Sequence, residues 1–133
     1  MPKSMGKKRP LLLPAEPPEP GKPYDIRERA FLFSLQILDA CGRLPSTTEG
    51  IVVRQQLARC GTSIGANLEE ADGTISKADR RKSLVISRKE ALETRYWLRI
   101  AAHRWPAAAN FQPHIQEAAE ILRILSRLIQ LLS

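Results

Sequence analysis

The chain has 133 residues, a formal charge of +7 and two cysteines, which is enough length for one self-stabilising core and too few cysteines for a disulfide scaffold. Aromatic residues make up only 5%, and Leu, Ile, Ala, Arg and Glu dominate after residue 24, which excludes a strand-rich fold and points to packed helices. The basic excess raises the expectation of an anionic partner such as nucleic acid, and the lack of any apolar run of about 18 residues excludes a membrane-spanning helix.

Residues 1–23 hold seven of the ten prolines, a density that neither a helix nor a paired strand tolerates. They are read as a disordered, basic, proline-rich tail ahead of a bundle domain over residues 24–133. Lys7-Lys8-Arg9 is read as part of a solvated extension, with weak phosphate contacts as the alternative. Leu11-Leu12-Leu13 is too short for a signal-peptide core and is cut off by Pro14, so a cytoplasmic protein is expected.

The first helix is predicted to begin at Tyr24 or Asp25, because Asp25 and Glu28 have capping-box spacing. Apolar residues then recur at Ile26, Ala30, Phe33, Ile37 and Leu38, and Gly42 and Pro45 close the element. Ser46 with Glu49 repeats the capping signature for a second helix. Its apolar stripe runs Val53, Leu57, Cys60, Ile64, Leu68 and Ala71, and Gly73 ends it. Ser76 with Asp79 caps a third helix that runs unbroken to Arg104, before Pro106. The last helix starts around Asn110 to Pro113, with a stripe of Ile115, Ala118, Ala119, Leu122, Leu125, Leu128, Ile129 and Leu132. Helices joined by short connections make antiparallel neighbours, so the expected fold is an all-α, up-and-down four-helix bundle.

Charge is unevenly placed. The tail carries a net +3, residues 46–73 a net −2 and residues 76–106 a net +6. At 100° per residue Lys77, Arg81, Arg88, Arg95 and Arg99 fall within an arc of about 40° on the third helix. Leu84, Ala91 and Leu98 flank this row on one side, and Val85, Leu92 and Tyr96 on the other. Guanidinium groups at a regular rise can track a phosphate backbone. In the competing reading they pair with Glu69, Glu70 and Asp72 of the second helix or lie over apolar surface. Further apolar residues on the third helix, Ile86, Trp97 and Ile100, exceed what neighbours in one bundle need to cover. That excess predicts self-association, with overpacking inside the monomer as the alternative.

Gly61 and Gly65 stand four apart inside the second helix, where each costs about 1 kcal/mol relative to alanine, and close helix approach is the expected compensation. Asn67 and Glu70, one turn on, are placed to hydrogen-bond across to Glu90 or Glu93 in a buried polar network. Cys41 and Cys60 lack metal-site or redox-motif spacing and are read as reduced core thiols. Nucleotide-loop, zinc-protease, serine-hydrolase and di-iron signatures are all missing, and His103 and His114 are separated by an interhelical turn. No enzyme, metal or cofactor is expected.

The run Leu57-Ala-Arg-Cys-Gly-Thr-Ser-Ile-Gly-Ala-Asn-Leu-Glu-Glu-Ala71, then Ser76-Lys-Ala-Asp79 and Ser87-Arg-Lys-Glu-Ala-Leu-Glu-Thr-Arg-Tyr-Trp-Leu98, resembles the bacterial four-helix-bundle proteins first noticed in intervening sequences of large-subunit ribosomal RNA genes. The most specific pieces are Ser63-Ile64 with Asn67 and Glu70, and Lys89-Glu90-Ala91 leading to Tyr96-Trp97-Leu98. The likeness covers about residues 24–104, and the tail departs from the family's usual short N-terminus. It implies a ring-like homopentamer without enzymatic activity. It also implies kinship with the accessory variability protein of diversity-generating retroelements, whose basic bundle engages nucleic acid and a reverse transcriptase. The expected function is therefore a non-enzymatic oligomeric module that binds RNA or DNA weakly through the third-helix row. The alternative is a protein-interaction scaffold whose arginines are internally paired.

Overall fold

The computed structural model describes residues 25–133, so the expectations for the tail and for Tyr24 lie outside the described residues. Four helices follow one another, α1 (Ile26–Cys41), α2 (Thr48–Gly73), α3 (Lys77–Arg104) and α4 (Gln112–Leu131). Contacts run α1–α2, α2–α3 and α3–α4 and close through α1–α4, with none across either diagonal among the described residues. This is the ring of antiparallel neighbours that short connections dictate.

The helix ends follow local chemistry. Asp25 caps α1 by accepting from the backbone N–H groups of Arg27 and Glu28, and Ser76 caps α3 by accepting from that of Asp79, both as the spacing predicts. Pro113 occupies the first turn of α4, where a missing N–H costs nothing. At α2 the cap is Thr47, accepting from the Gly50 N–H at 3.2 Å, and not Ser46. Ser46 instead accepts from Arg54 Nη2 at 3.3 Å, and the same nitrogen donates to the Leu44 carbonyl at 2.7 Å. Sequence spacing could not see this shift, because it depends on Pro45. A Cβ on Gly50 would sit 2.0 Å from the Pro45 carbonyl oxygen, so the entry turn closes only around glycine there.

The core is built from the predicted stripes. Val53, Leu57, Cys60, Ile64, Leu68 and Ala71 of α2 are all buried, with Ala30, Phe33 and Ile37 from α1 and Ala118, Leu122 and Leu125 from α4. Two assignments change. Leu38 is 47% exposed, because it lies outside the arc that Ala30, Phe33 and Ile37 turn inward. Ala119 of α4 is exposed and Ile121 is fully buried in its place.

Gly61 and Gly65 face α1, as close helix approach requires. A Cβ at Gly61 would meet Ile37 Cγ2 at 2.6 Å, whereas one at Gly65 would meet Ala30 Cβ at an ordinary 3.6 Å. Against α2, α3 turns small residues inward, Ser83, Ser87, Ala91 and Thr94. Ser87 Oγ donates to the Ile64 carbonyl at 2.8 Å, which satisfies a fully buried hydroxyl and ties the two helices at one register. Between α1 and α4, Arg29 and Glu117 form a bidentate pair at 2.6 and 2.9 Å, with side chains only 13% and 7% exposed.

Both cysteines are buried, unpaired thiols. Burial pushes the Cys41 thiol up to about 11 and that of Cys60 in the same direction, so neither is a poised nucleophile. No described helix is long and apolar enough to cross a membrane.

Candidate nucleic-acid interface

The chemistry of α3 is decided by where its few carboxylates go. Glu90 and Glu93 turn toward α2, where Arg59 meets both, with 3.4 Å from Nη1 to Glu90 Oε1 and Nη2 donating to Glu93 Oε2. Trp97 Nε1 donates to the same Glu93 oxygen at 3.2 Å. The polar link between α2 and α3 thus exists, but Arg59 makes it, not Asn67 or Glu70. Asn67 Nδ2 donates to the Ser63 carbonyl of its own helix at 2.8 Å, and Glu70 is exposed. An amide bonded one turn back is held against its own helix, while a cation placed between two acids can donate to both.

With its acids drawn to one side, α3 presents bases on the other. Lys77, Arg81 and Arg99 are exposed, and Arg88 and Arg95 are half-buried. Arg88 Nε donates to Ser126 Oγ of α4 at 2.8 Å. Among the described residues none of the five forms an ion pair. The expected pairing with the second helix is absent among the described residues: Asp72 binds Arg27 Nη1 at 2.7 Å instead, and Glu69 and Glu70 carry no ion pair there. The reason is angular, because the row lies on the flank of α3 turned from α2. The neighbouring acids of α4 are also engaged elsewhere, Glu117 with Arg29 and Glu120 with Arg123.

The apolar flanks of the row are unequal. Leu84, Ala91 and Leu98 are buried, while Val85, Leu92 and Tyr96 are 42%, 38% and 56% exposed. The surplus assigned to Ile86, Trp97 and Ile100 is smaller than expected, since all three are partly buried and the latter two pack against the core. Overpacking inside the monomer, the competing reading, describes Trp97 and Ile100 better.

At the row's C-terminal end Tyr96, Arg99, Ile100 and His103 line an open hollow of about 230 Å³. The Tyr96 and Trp97 rings meet edge to face, with centroids 5.4 Å apart and planes at 73°, a favoured aromatic geometry. A second cleft of about 300 Å³ opens at the bundle end where α1 begins. Ile26, Leu68, Leu84 and Leu128 line it and the Arg27–Asp72 pair sits at its edge. Among the described residues no cluster of three or more His, Cys, Asp or Glu side chains could hold a metal ion.

The remaining motif residues have structural surroundings. Ile64 is fully buried and accepts the Ser87 hydroxyl, and Ser63 Oγ donates to the Arg59 carbonyl at 2.8 Å. A sequence model of the 23S rRNA-intervening sequence protein family matches residues 22–127. The chain belongs to this family. The bundle is also similar to the crystal structure of a protein of unknown function from the S23 ribosomal protein family of Bacteroides thetaiotaomicron. The TM-score is 0.73 and the identity 30%, over 80% of this chain and 99% of that one. Comparison with curated proteins finds no match.

Within this intervening-sequence bundle, two groups, Ser126 and Arg59, were beyond sequence reasoning, and a third in the core, His114, was missed although it carried a signal. Ser126 and Arg59 carry no local signal, because their roles depend on α4 and α3 meeting at one register. His114 had a signal, since it precedes Ala118 by one helical turn and so belongs to the inward stripe. It is 8% exposed, and neither ring nitrogen has a hydrogen-bond partner among the described residues. Burial, with help from the Arg43 charge and against that of Asp39, lowers its pKa below the usual histidine value.

Proposed function

We propose that this chain is a non-enzymatic, self-associating bundle that binds RNA or DNA through the α3 row of Lys77, Arg81, Arg88, Arg95 and Arg99. The observation that carries the reading is the segregation of charge on α3. Glu90 and Glu93 are occupied by Arg59 on the α2 side, and the five residues of the row make no ion pair among the described residues, whereas Arg104 at the end of α3 pairs with Glu49. Cations with no internal counter-charge are the groups that gain most from a phosphate backbone, through release of its condensed counterions. The alternative of an interaction scaffold required arginines paired within the fold; among the described residues the row makes no ion pair, and its one internal bond is from Arg88 to the neutral Ser126.

Self-association is supported by apolar surface elsewhere on the bundle. Phe31 and Leu38 of α1 and Ile51 and Val52 of α2 are each 40–54% exposed, more than polar neighbours shield. A homopentamer is the assembly implied by the family resemblance. Sedimentation at micromolar concentration tests it, and a monomer there would refute it.

The binding test is titration of a structured RNA at several salt concentrations. Affinity should fall steeply with salt, and Arg88→Ala and Arg95→Ala should each weaken binding and reduce the log–log salt slope by about 0.7–0.9. Arg81→Ala, which disturbs no hydrogen bond within the fold, should do the same. Absence of binding at low salt, or normal binding by all three variants, would refute the proposal. A pull-down that recovers one protein after nuclease treatment and no nucleic acid without it would favour the scaffold.

A further inference from the structure

We infer that the hollow of Tyr96, Arg99, Ile100 and His103 is a stacking site for an unpaired base, so that the nucleic acid held by α3 is single-stranded. This inference rests on the proposed nucleic-acid reading and specifies its ligand.

The argument begins with Tyr96. It is 56% exposed on the cationic face, yet its ring does not hang free. The edge-to-face contact with Trp97 sets its orientation, and Trp97 is itself fixed by partial burial against the core and by the 3.2 Å bond from Nε1 to Glu93. A tyrosine with so little freedom left to lose offers a flat surface at low entropic cost. Ile100, four residues on, lies beside it one turn along the helix and supplies an apolar wall.

The cations are arranged around that surface. Arg99 and His103 line the same hollow, and Arg95 and Arg88 continue the row toward the α3 N-terminus at a rise of about 1.5 Å per residue. A base laid on Tyr96 would leave its own phosphate beside Arg99 and the following backbone along Arg95 and Arg88. This pairing of an aromatic platform with a basic track is how single strands are held without sequence preference. A duplex cannot use it. Its bases are stacked on one another inside the helix, and the A-form RNA major groove is too deep and narrow for side chains to read. The hollow is also too small and too open to enclose a folded partner, but it suits one planar ring.

The test uses the full chain and fluorescently labelled oligonucleotides of about 12 nucleotides, within the usual site size, as single-stranded RNA, single-stranded DNA and the matching duplexes. Tyr96→Ala, an exposed change whose folding is checked by thermal melting, should weaken single-strand binding about 5- to 150-fold. Its salt slope should be unchanged, because no phosphate contact is lost. Tyr96→Phe should bind as wild type, and duplex affinity should not respond to either variant. Comparison of the RNA and DNA arms identifies which single strand is preferred.

If Arg88→Ala and Arg95→Ala lose affinity while Tyr96→Ala binds single strands normally, the stacking site is refuted and the phosphate-binding reading survives. If Tyr96→Ala weakens single strands and duplexes equally, or dissociates an assembly without changing affinity per chain, the site is likewise refuted. If the wild-type chain binds none of the probes at low salt, both readings fall together.

Discussion

Two glycines four residues apart on α2 should respond to the same substitution with opposite signs. Gly→Ala in a helix interior gains about 1 kcal/mol from propensity alone. At Gly65 nothing opposes that gain, because the new Cβ meets Ala30 Cβ at 3.6 Å, ordinary van der Waals contact. Gly65→Ala should therefore stabilise by about 0.5–1 kcal/mol. At Gly61 the new Cβ lies 2.6 Å from Ile37 Cγ2 and 3.1 Å from both Cβ and Cγ1. Three atoms of one β-branched side chain converge on the site, so no rotamer of Ile37 clears it, and the α1–α2 spacing must open. Overpacking costs about 1–3 kcal/mol, and a contact this short belongs in the upper part of that range. Gly61→Ala should lose about 1–2 kcal/mol net, a melting-temperature fall of roughly 5–15 °C for a domain of this size.

Urea and thermal unfolding of both variants measure the difference, and a double-mutant cycle tests its cause. Ile37→Val keeps all three contacting atoms and should not rescue Gly61→Ala. Ile37→Ala removes two of them, so Gly61→Ala in that background should be neutral or stabilising, a coupling of about 1–3 kcal/mol. Equal effects at the two glycines, or rescue by Ile37→Val, would refute the reasoning.

Glu117→Leu should destabilise by about 3–5 kcal/mol, since the change takes from the buried Arg29 guanidinium both oxygens of its carboxylate partner; Arg29→Met with Glu117→Leu should recover most of the loss in chemical unfolding. His114 makes stability pH-dependent with a defined sign. Its folded pKa lies below its unfolded value near 6.5, so the unfolded state binds the proton more readily. The contribution is complete above about pH 6.5 and is lost as pH falls below it, by at most about 1.4 kcal/mol per pH unit. His114→Leu should remove this component, and an unchanged pH profile between pH 5 and 7 would count against it. Ser87→Ala leaves the buried hydroxyl's bond to the Ile64 carbonyl unmade and should cost about 0.5–1.5 kcal/mol in the same assays.

Much of this protein could be read from local rules because helices are local objects. Asp25 and Ser76 cap helices where the spacing places them, and all six residues of the predicted α2 stripe are buried. Periodicity also placed the cationic row and its two apolar flanks on α3. Errors arose where a residue's placement depends on turn geometry or packing that hydrophobic period does not describe. Thr47 replaces Ser46 as the cap because the turn is built on Pro45 and Gly50. Leu38 faces out because α1 has only its two bundle neighbours to cover it. Trp97 is drawn partly inward by Glu93 and the core, leaving Tyr96 as the exposed ring.

The sequence by itself determined that the chain is an all-α bundle with its positive charge concentrated on the third helix, since hydrophobic period, caps and charge spacing are properties of neighbouring residues. Only the tertiary structure decided which of those charges are paired within the fold. Arg59 lies 31 and 34 residues before Glu90 and Glu93, and Arg29 lies 88 before Glu117, so only the packing of the helices brings each arginine to its acids. Ion pairing depends on which faces meet, and that is set by packing of the four helices rather than by any one of them. Lys77, Arg81 and Arg99 are left exposed because the row lies on the flank of α3 turned from α2, while Glu90, Glu93 and Glu117 pair with Arg59 and Arg29 on other sides of the bundle.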